Sequence, residues 1–298
     1  MLITPRPTPI QEIHDARLEQ AGVRLMLKRL DLVHPLISGN KWYKLKYNLL
    51  AARQQGFETL LSFGGAYSNH IHALAAAGHE YGFKTIGVIR GEAHAPLNPT
   101  LQFAVDHGMH LFYLNRMDYR DKTSSELINK LKAEFGDFYL IPEGGSNPLA
   151  VKGCVEIIAD IDEAFDVIAC ACGTGGTLAG LIAGLAGKHQ ALGIAVLKGA
   201  DFLNDEVTSL LQSAVGRMYK NWHINLDYHV GGYAKTNAEL LSFIHQFETK
   251  HAIPLEQVYT GKLLYGLFDM IAKGEFERGT QMIALHTGGL QGRVAFIY

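Results

Sequence analysis

The chain has 298 residues and a mass of 32.8 kDa, the length of about two ordinary domains. Its 27 Lys and Arg against 29 Asp and Glu leave a formal charge of −2, which argues against nucleic acid or an anionic membrane surface as the main partner. Hydrophobic residues make up 48% and charged residues 19%, so a large core is available and extended disorder is excluded.

The N-terminal MLITPRPTPIQEI has no basic stretch followed by an apolar block, so no signal peptide is expected. Further along, Asn40 reads as the N-cap of a helix, with Lys41 at its first position. Apolar runs rich in β-formers follow: TLLSF (59–63), KTIGVIR (84–90), MHLFYL (109–114) and FYLIP (138–142). The series continues with DVIACAC (166–172), GIAVLKG (193–199) and QMIALHT (281–287). Runs of this kind, buried on both faces, belong to parallel sheets. Between them lie helical patterns such as SSELINKLKAEFG (124–136), NAELLSFIHQFETKH (237–251) and LLYGLFDMIAKG (263–274). Alternating strands and helices predict an α/β fold of open, mostly parallel sheets with flanking helices in two domains.

Residues 167–187 carry no charge, a length that could cross a bilayer. The glycine-rich turn in the middle would break a spanning helix, however. The expectation is a buried strand, a turn, and a helix whose Gly176, Gly180 and Gly184 face packs closely on a sheet. Cys154, Cys170 and Cys172 fit neither a disulfide framework nor a zinc site, and read as small core residues of a reduced, cytoplasmic protein. His70 and His72, two apart on a helix, point in different directions, so no metal site is expected.

In open parallel sheets, ligands sit beyond the carboxyl ends of the strands. After TLLSF comes Gly64-Gly65-Ala66-Tyr67-Ser68-Asn69-His70 and then a helix. After DVIACAC comes Gly173-Thr174-Gly175-Gly176-Thr177 and then another. Each sets backbone N–H groups and a helix-dipole positive end where an anion could bind. The second lacks the Gly-Lys-Ser/Thr of a nucleoside-triphosphatase loop, and Leu178 spoils a dinucleotide fingerprint. A small cofactor phosphate fits it better; a turn that serves only helix packing is the alternative. Lys41 faces the unfavourable end of a helix dipole. That environment and burial would depress its pKa and make it a better amine nucleophile towards a carbonyl.

Five motifs occur in order: Gly39-Asn40-Lys41 with Lys44-Leu45, Gly64-Gly65-x-x-Ser68-Asn69-His70, Glu143-Gly144-Gly145-Ser146, Tyr259-Thr260-Gly261-Lys262 and His286-Thr287-Gly288-Gly289. From about residue 20 to the C-terminus the chain resembles the 1-aminocyclopropane-1-carboxylate deaminase / D-cysteine desulfhydrase family of pyridoxal phosphate enzymes. The resemblance implies the tryptophan synthase β-like fold (fold type II). It also implies pyridoxal 5'-phosphate as cofactor, a small amino-acid substrate and a homodimer. The expected division is a larger cofactor-binding domain of residues 1–43 and 144–298, and a smaller domain of residues 44–143 with the site between them.

The resemblance gives each motif residue a role. Lys41 carries the cofactor, while Lys44 and the turn Gly173, Thr174, Gly175, Gly176 and Thr177 hold its phosphate. Asn69 bonds the ring oxygen, and Ser68 with the following N–H groups takes the substrate carboxylate. Tyr259 matches a tyrosine beside the substrate, a candidate for proton transfer or substrate activation. Tyr233 matches a second active-site tyrosine more loosely, with a half-buried loop aromatic as the alternative. Thr260 and Thr287 stand near the ring nitrogen, where the deaminase members have Glu and Leu. A hydroxyl there makes a weaker electron sink than a carboxylate, and cyclopropane opening needs the stronger sink. The expected activity is therefore elimination from D-cysteine to pyruvate, ammonia and sulfide, by a Cα base that is either Lys41 or Tyr259. Cyclopropane-carboxylate deamination is the alternative. A protein that binds pyridoxal phosphate or amino acids without turnover is the reading of another class. Two positions depart from the pattern: Tyr43 and His72 each replace an arginine.

Overall fold

The computed structural model describes residues 5–296, the last three by their backbone alone. In chain order the first elements are β1 (Ile10–Ile13), α1 (Ala16–Ala21), β2 (Arg24–Lys28), α2 (Asn40–Gln54), β3 (Thr59–Gly64), α3 (Asn69–Tyr81) and β4 (Lys84–Arg90). Next come α4 (Pro99–Asp106), β5 (Met109–Leu114), α5 (Ser125–Phe135), β6 (Tyr139–Ile141), α6 (Pro148–Ala159) and β7 (Val167–Cys172). The remainder is α7 (Gly176–Leu185), β8 (Gln190–Ala195), α8 (Leu203–Val215), β9 (Trp222–Asn225), α9 (Ala238–His251), α10 (Thr260–Ala272) and β10 (Gln281–Leu285).

These strands form two sheets. One has six strands in the order β1-β2-β10-β7-β8-β9, the other four in the order β5-β4-β3-β6. Only β1 is antiparallel, paired with β2; every other pairing is parallel. The all-parallel sheet is drawn wholly from residues 59–141, and the six-stranded sheet from the chain on either side of it. Position 43/44 falls in the first turn of α2, and 143/144 inside the short 3-10 turn Glu143–Gly145.

The middle strand β7 shows why its sequence reads as one apolar run. Ile168, Cys170 and Cys172 enter a core shared with α2, α6, α7 and the four-stranded sheet. Val167, Ala169 and Ala171 enter a second core built on α1, α9 and α10. A strand buried on both faces needs apolar residues at every position. The stretch 167–187 is thus strand, turn and helix as predicted, and among the described residues no helix is long and apolar enough to cross a membrane. All three cysteines are free and buried.

Several expectations are corrected. The glycine face of α7 packs on α6, not on a sheet: a Cβ at Gly180 would strike Cys154, and one at Gly184 would lie 2.8 Å from Ile158 Cγ1. Two helices crossing this closely tolerate only hydrogen at the contact. The run GIAVLKG is half strand, since β8 spans Gln190–Ala195 and the chain then leaves the sheet. The strands β1, β2 and β9 are additions to the predicted set.

Candidate active site

The site begins with a steric fact about Gly39. Its φ is +67°, and its Cα rests against the Thr287 carbonyl so closely that no Cβ fits. Gly39 is therefore the N-cap of α2, and Asn40 is its first helical residue; this corrects the expectation that Asn40 caps it. The Asn40 side chain is drawn elsewhere, its Nδ2 donating to Thr177 Oγ1 at 2.7 Å. Lys41 is the second helical residue, with Nζ 3.0 Å from Asn40 Oδ1. Burial lowers its pKa to about 8. One turn on, Lys44 is buried and donates to the Gly144 carbonyl at 2.5 Å and to Ser146 Oγ at 2.8 Å. Burial, with the charge of Lys41 next, lowers Lys44 to about 7.

The turn after β7 closes on these lysines. Gly175 caps α7 in a left-handed conformation (φ +72°) and supplies no side chain to the helix N-terminus. Thr174 Oγ1 lies 2.6 Å from Ser146 Oγ. A Cβ on Gly176 would come 2.6 Å from Ser146 Oγ and 3.1 Å from Lys44 Cε. At the other end of the turn the Tyr259 ring covers Gly173, where a Cβ would stand 3.2 Å from Tyr259 Cε1. The turn, Lys41, Lys44 and Tyr259 thus come together from three segments more than eighty residues apart in sequence.

Two further segments complete the constellation. Ser68 caps α3, its Oγ accepting the Ile71 N–H at 3.2 Å. Asn69 packs against Gly289 and its Oδ1 accepts from Gln291 Nε2 at 2.7 Å, which leaves the Asn69 amide N–H groups for a ligand. Tyr233 is 38% exposed and stands 6.1 Å from Tyr259, ring centre to ring centre. Burial first, and then Tyr233, hold the Tyr259 hydroxyl well above its ordinary pKa.

The two threonines expected near a ring nitrogen differ. Thr260 Oγ1 is turned to Glu256, accepting its N–H at 3.0 Å, and lies 3.2 Å from its Oε1. The Glu256 carboxylate also accepts the N–H groups of Val258, Tyr259 and Thr260 at the start of α10. Burial raises its pKa, and those bonds oppose the shift. Thr287 is buried, and among the described residues nothing hydrogen-bonds its hydroxyl. Of the pair, Thr287 is the one with a free hydroxyl.

The departures from the family pattern lie outside this constellation. Tyr43 is buried against α6 and pushed up to about 12 by burial, its backbone carbonyl touching Gly153. His72 stacks on Phe103 at 3.7 Å, and burial lowers it to about 4. His70, two residues earlier, instead bonds Ser62 Oγ at 2.8 Å, so the two imidazoles do point apart. Among the described residues no group of three or more His, Cys, Asp or Glu could hold a metal ion.

Sequence reasoning missed four supports. Ser146 lies in the Glu143-Gly144-Gly145-Ser146 motif, but nothing local shows that its hydroxyl meets Lys44 and Thr174. Lys262 Nζ donates to the carbonyls of His229 and Gly232 at 2.8 and 2.7 Å, pinning the loop that carries Tyr233. Glu256 and Gln291 left no local pattern to find.

The constellation can be tested against a phosphate-bearing aldehyde. Among the described residues, Lys41 and Lys44 hydrogen-bond only to neutral oxygens, and burial disfavours their charged forms. The N-terminus of α7 beside them is without a side-chain cap. The set lacks a negative charge, which a phosphate monoester supplies, and Lys41 presents an amine of lowered pKa to a carbonyl. The residues fit pyridoxal phosphate.

Residues 2–288 match the model of the family described as pyridoxal-phosphate dependent enzymes. A Pyrococcus horikoshii protein described as a putative 1-aminocyclopropane-1-carboxylate deaminase is 32% identical, over 97% of this chain and 91% of its own. A mitochondrial Arabidopsis thaliana protein, described as a bifunctional D-cysteine desulfhydrase/1-aminocyclopropane-1-carboxylate deaminase, is 31% identical over 96% of this chain and 77% of its own. A crystal structure described as an ACC deaminase homologue is similar with a TM-score of 0.85 at 30% identity, covering 97% of this chain and 91% of that one. The chain therefore belongs to the pyridoxal-phosphate dependent enzymes, in the 1-aminocyclopropane-1-carboxylate deaminase / D-cysteine desulfhydrase family.

Proposed function

We propose that this enzyme is a D-cysteine desulfhydrase-type lyase that converts D-cysteine and water to pyruvate, ammonia and hydrogen sulfide. One observation supports the reading: neither Thr260 nor Thr287, the two positions that the resemblance sets beside the cofactor ring, is a carboxylate. Thr287 presents a hydroxyl, and Thr260 turns back to a Glu256 whose oxygens already serve the start of α10. A hydroxyl partner suits elimination of a good leaving group better than cyclopropane opening.

Bound pyridoxal phosphate supplies an electron sink for the charge left at Cα when its proton is lost. In this reading Lys41 holds the cofactor, and Lys44 with Gly173, Thr174, Gly175, Gly176 and Thr177 binds the phosphate. Asn69 donates to the ring oxygen. Ser68 and the N–H groups at the start of α3 hold the substrate carboxylate. Tyr259 keeps its proton at working pH, so the Lys41 amine takes the Cα proton and the Tyr259 hydroxyl faces the departing sulfur. Tyr233 covers the cleft from the solvent side. We also propose a cytoplasmic homodimer, with residues 44–143 forming the smaller of two domains; three buried thiols suit a reducing compartment.

The test is to supply the cofactor-loaded enzyme with D-cysteine and, separately, with 1-aminocyclopropane-1-carboxylate. Sulfide and pyruvate are expected from the first, with Lys41→Ala lowering the rate at least about a thousandfold. Faster release of 2-oxobutyrate from the second substrate would overturn the assignment. That second reading is favoured by the descriptions of the Pyrococcus horikoshii relative and of the similar solved structure.

A further inference from the structure

Beside the cleft is a cavity of about 390 Å³ lined by Arg90, Arg116, Tyr119, Arg120, Lys122 and Glu143. It lies at the carboxyl ends of the four-stranded sheet: Arg90 ends β4, Arg116 and Arg120 follow β5, and Glu143 follows β6. Glu143 directly precedes Gly144, whose carbonyl receives Lys44. The charges of Arg90 and Glu143 also reach the Tyr233 hydroxyl. The cavity therefore borders the solvent side of the candidate active site.

Its charges do not balance. Glu143 accepts the Tyr119 hydroxyl at 2.9 Å and pairs with Lys122 at 3.3 Å. Among the described residues, Arg90, Arg116 and Arg120 have no carboxylate within ion-pair distance. The nearby Asp118 accepts instead from Asn115 at 2.8 Å. Three guanidinium groups around one cavity repel each other, and their planar donor forks match carboxylate, sulfonate or phosphate oxygens.

We propose that this cavity binds an oxyanion, and that the oxyanion is the far end of the substrate. Resting on the β-elimination reading, this names the substrate class: small amino acids whose Cβ leaving group ends in an acid. D-Cysteine would occupy the reacting end and leave the arginines without a partner. The same chemistry could be met by a free inorganic anion, which the test separates.

The cofactor-loaded enzyme is given S-carboxymethyl-D-cysteine and its neutral S-carbamoylmethyl analogue, as wild type and as the double variant Arg90→Gln/Arg120→Gln. Inorganic phosphate is titrated into the same proteins by calorimetry, with the visible cofactor band and the thermal midpoint confirming that the variant is folded and loaded. The acidic substrate should have a kcat/KM about tenfold above its neutral partner, the effect expected of two or three exposed charge pairs. The double variant should lose that preference. Phosphate binding that depends on the arginines, without any substrate preference, would keep the oxyanion site and overturn the substrate class. Equal turnover of the two analogues with no arginine-dependent phosphate binding would overturn the site itself. No turnover of either analogue or of D-cysteine, with phosphate binding intact, would instead sink the β-elimination reading and leave the anion site standing.

Discussion

The turns after β3 and after β7 occupy matching places, each at the carboxyl end of a parallel strand and ahead of a helix. They start their helices differently. Ser68 Oγ accepts the Ile71 N–H of α3, whereas Gly175 offers α7 nothing but backbone. A side-chain cap contributes about 1 kcal/mol, so a helix start without one is stabilised by an anion that stays. The capped start, with only its first N–H groups left over, suits a carboxylate that arrives and leaves. In the proposed reading, the contrast separates a cofactor end of the site from a substrate end.

The sharpest way to break that contrast is to crowd the turn that has no cap. Gly176→Ala sets a methyl 2.6 Å from Ser146 Oγ, and overpacking of this kind typically costs about 1–3 kcal/mol. The dissociation constant for pyridoxal phosphate, read by visible titration, should rise about tenfold to a hundredfold; an unchanged value would place the phosphate elsewhere. Ser68→Ala should act at the other end. Loss of the cap should lower stability by about 1 kcal/mol and raise KM severalfold, with cofactor affinity held. An equal loss of cofactor affinity in the two variants would erase the distinction between the turns.

A pH slope is also expected in the cofactor-free protein. Lys44 is lowered from its ordinary 10.5 to about 7 and Lys41 to about 8. Between those values and about pH 9.5 the unfolded chain binds more protons than the folded one, so stability rises with pH in that window. Each lysine contributes at most about 1.4 kcal/mol per pH unit. Above the window, ionisation of buried tyrosines such as Tyr43, pushed up to about 12, acts in the opposite direction. Thermal midpoints across the window should rise in the wild type and rise less in Lys44→Met. Parallel curves would mean that the Lys44 ammonium is not held at a cost.

Legibility in the sequence followed burial. The strand Val167–Cys172 was readable because both its faces are covered, and Lys84–Arg90 for a similar reason; Met109–Leu114, a half-buried edge strand, was readable from its apolar run alone. Arg24–Lys28 was missed because charged residues bracket three apolar ones, and Trp222–Asn225 because a four-residue edge strand leaves too short a pattern. In the site, residues lying within ordered motifs carried a signal in the sequence. Side chains whose partners are distant could not. Asn40 reads as a cap in sequence, since nothing local reveals that Thr177, 137 residues away, will claim its amide. Glu256 looks like any loop carboxylate until α10 closes over it. Gln291 acquires meaning only where the chain end meets Asn69.

The contact of Gly153 with the Tyr43 carbonyl has a mechanical consequence. With backbone pressed on backbone, α2 and α6 have no cushion of side chains over which to slide, so shear between them is blocked. The first turn of α2 is tied at the same time to Thr177 through Asn40. Lys41 therefore keeps a constant position relative to the turn 173–177. Whatever opening admits substrate must come from movement of the facing wall, as a door swings on a frame that does not travel.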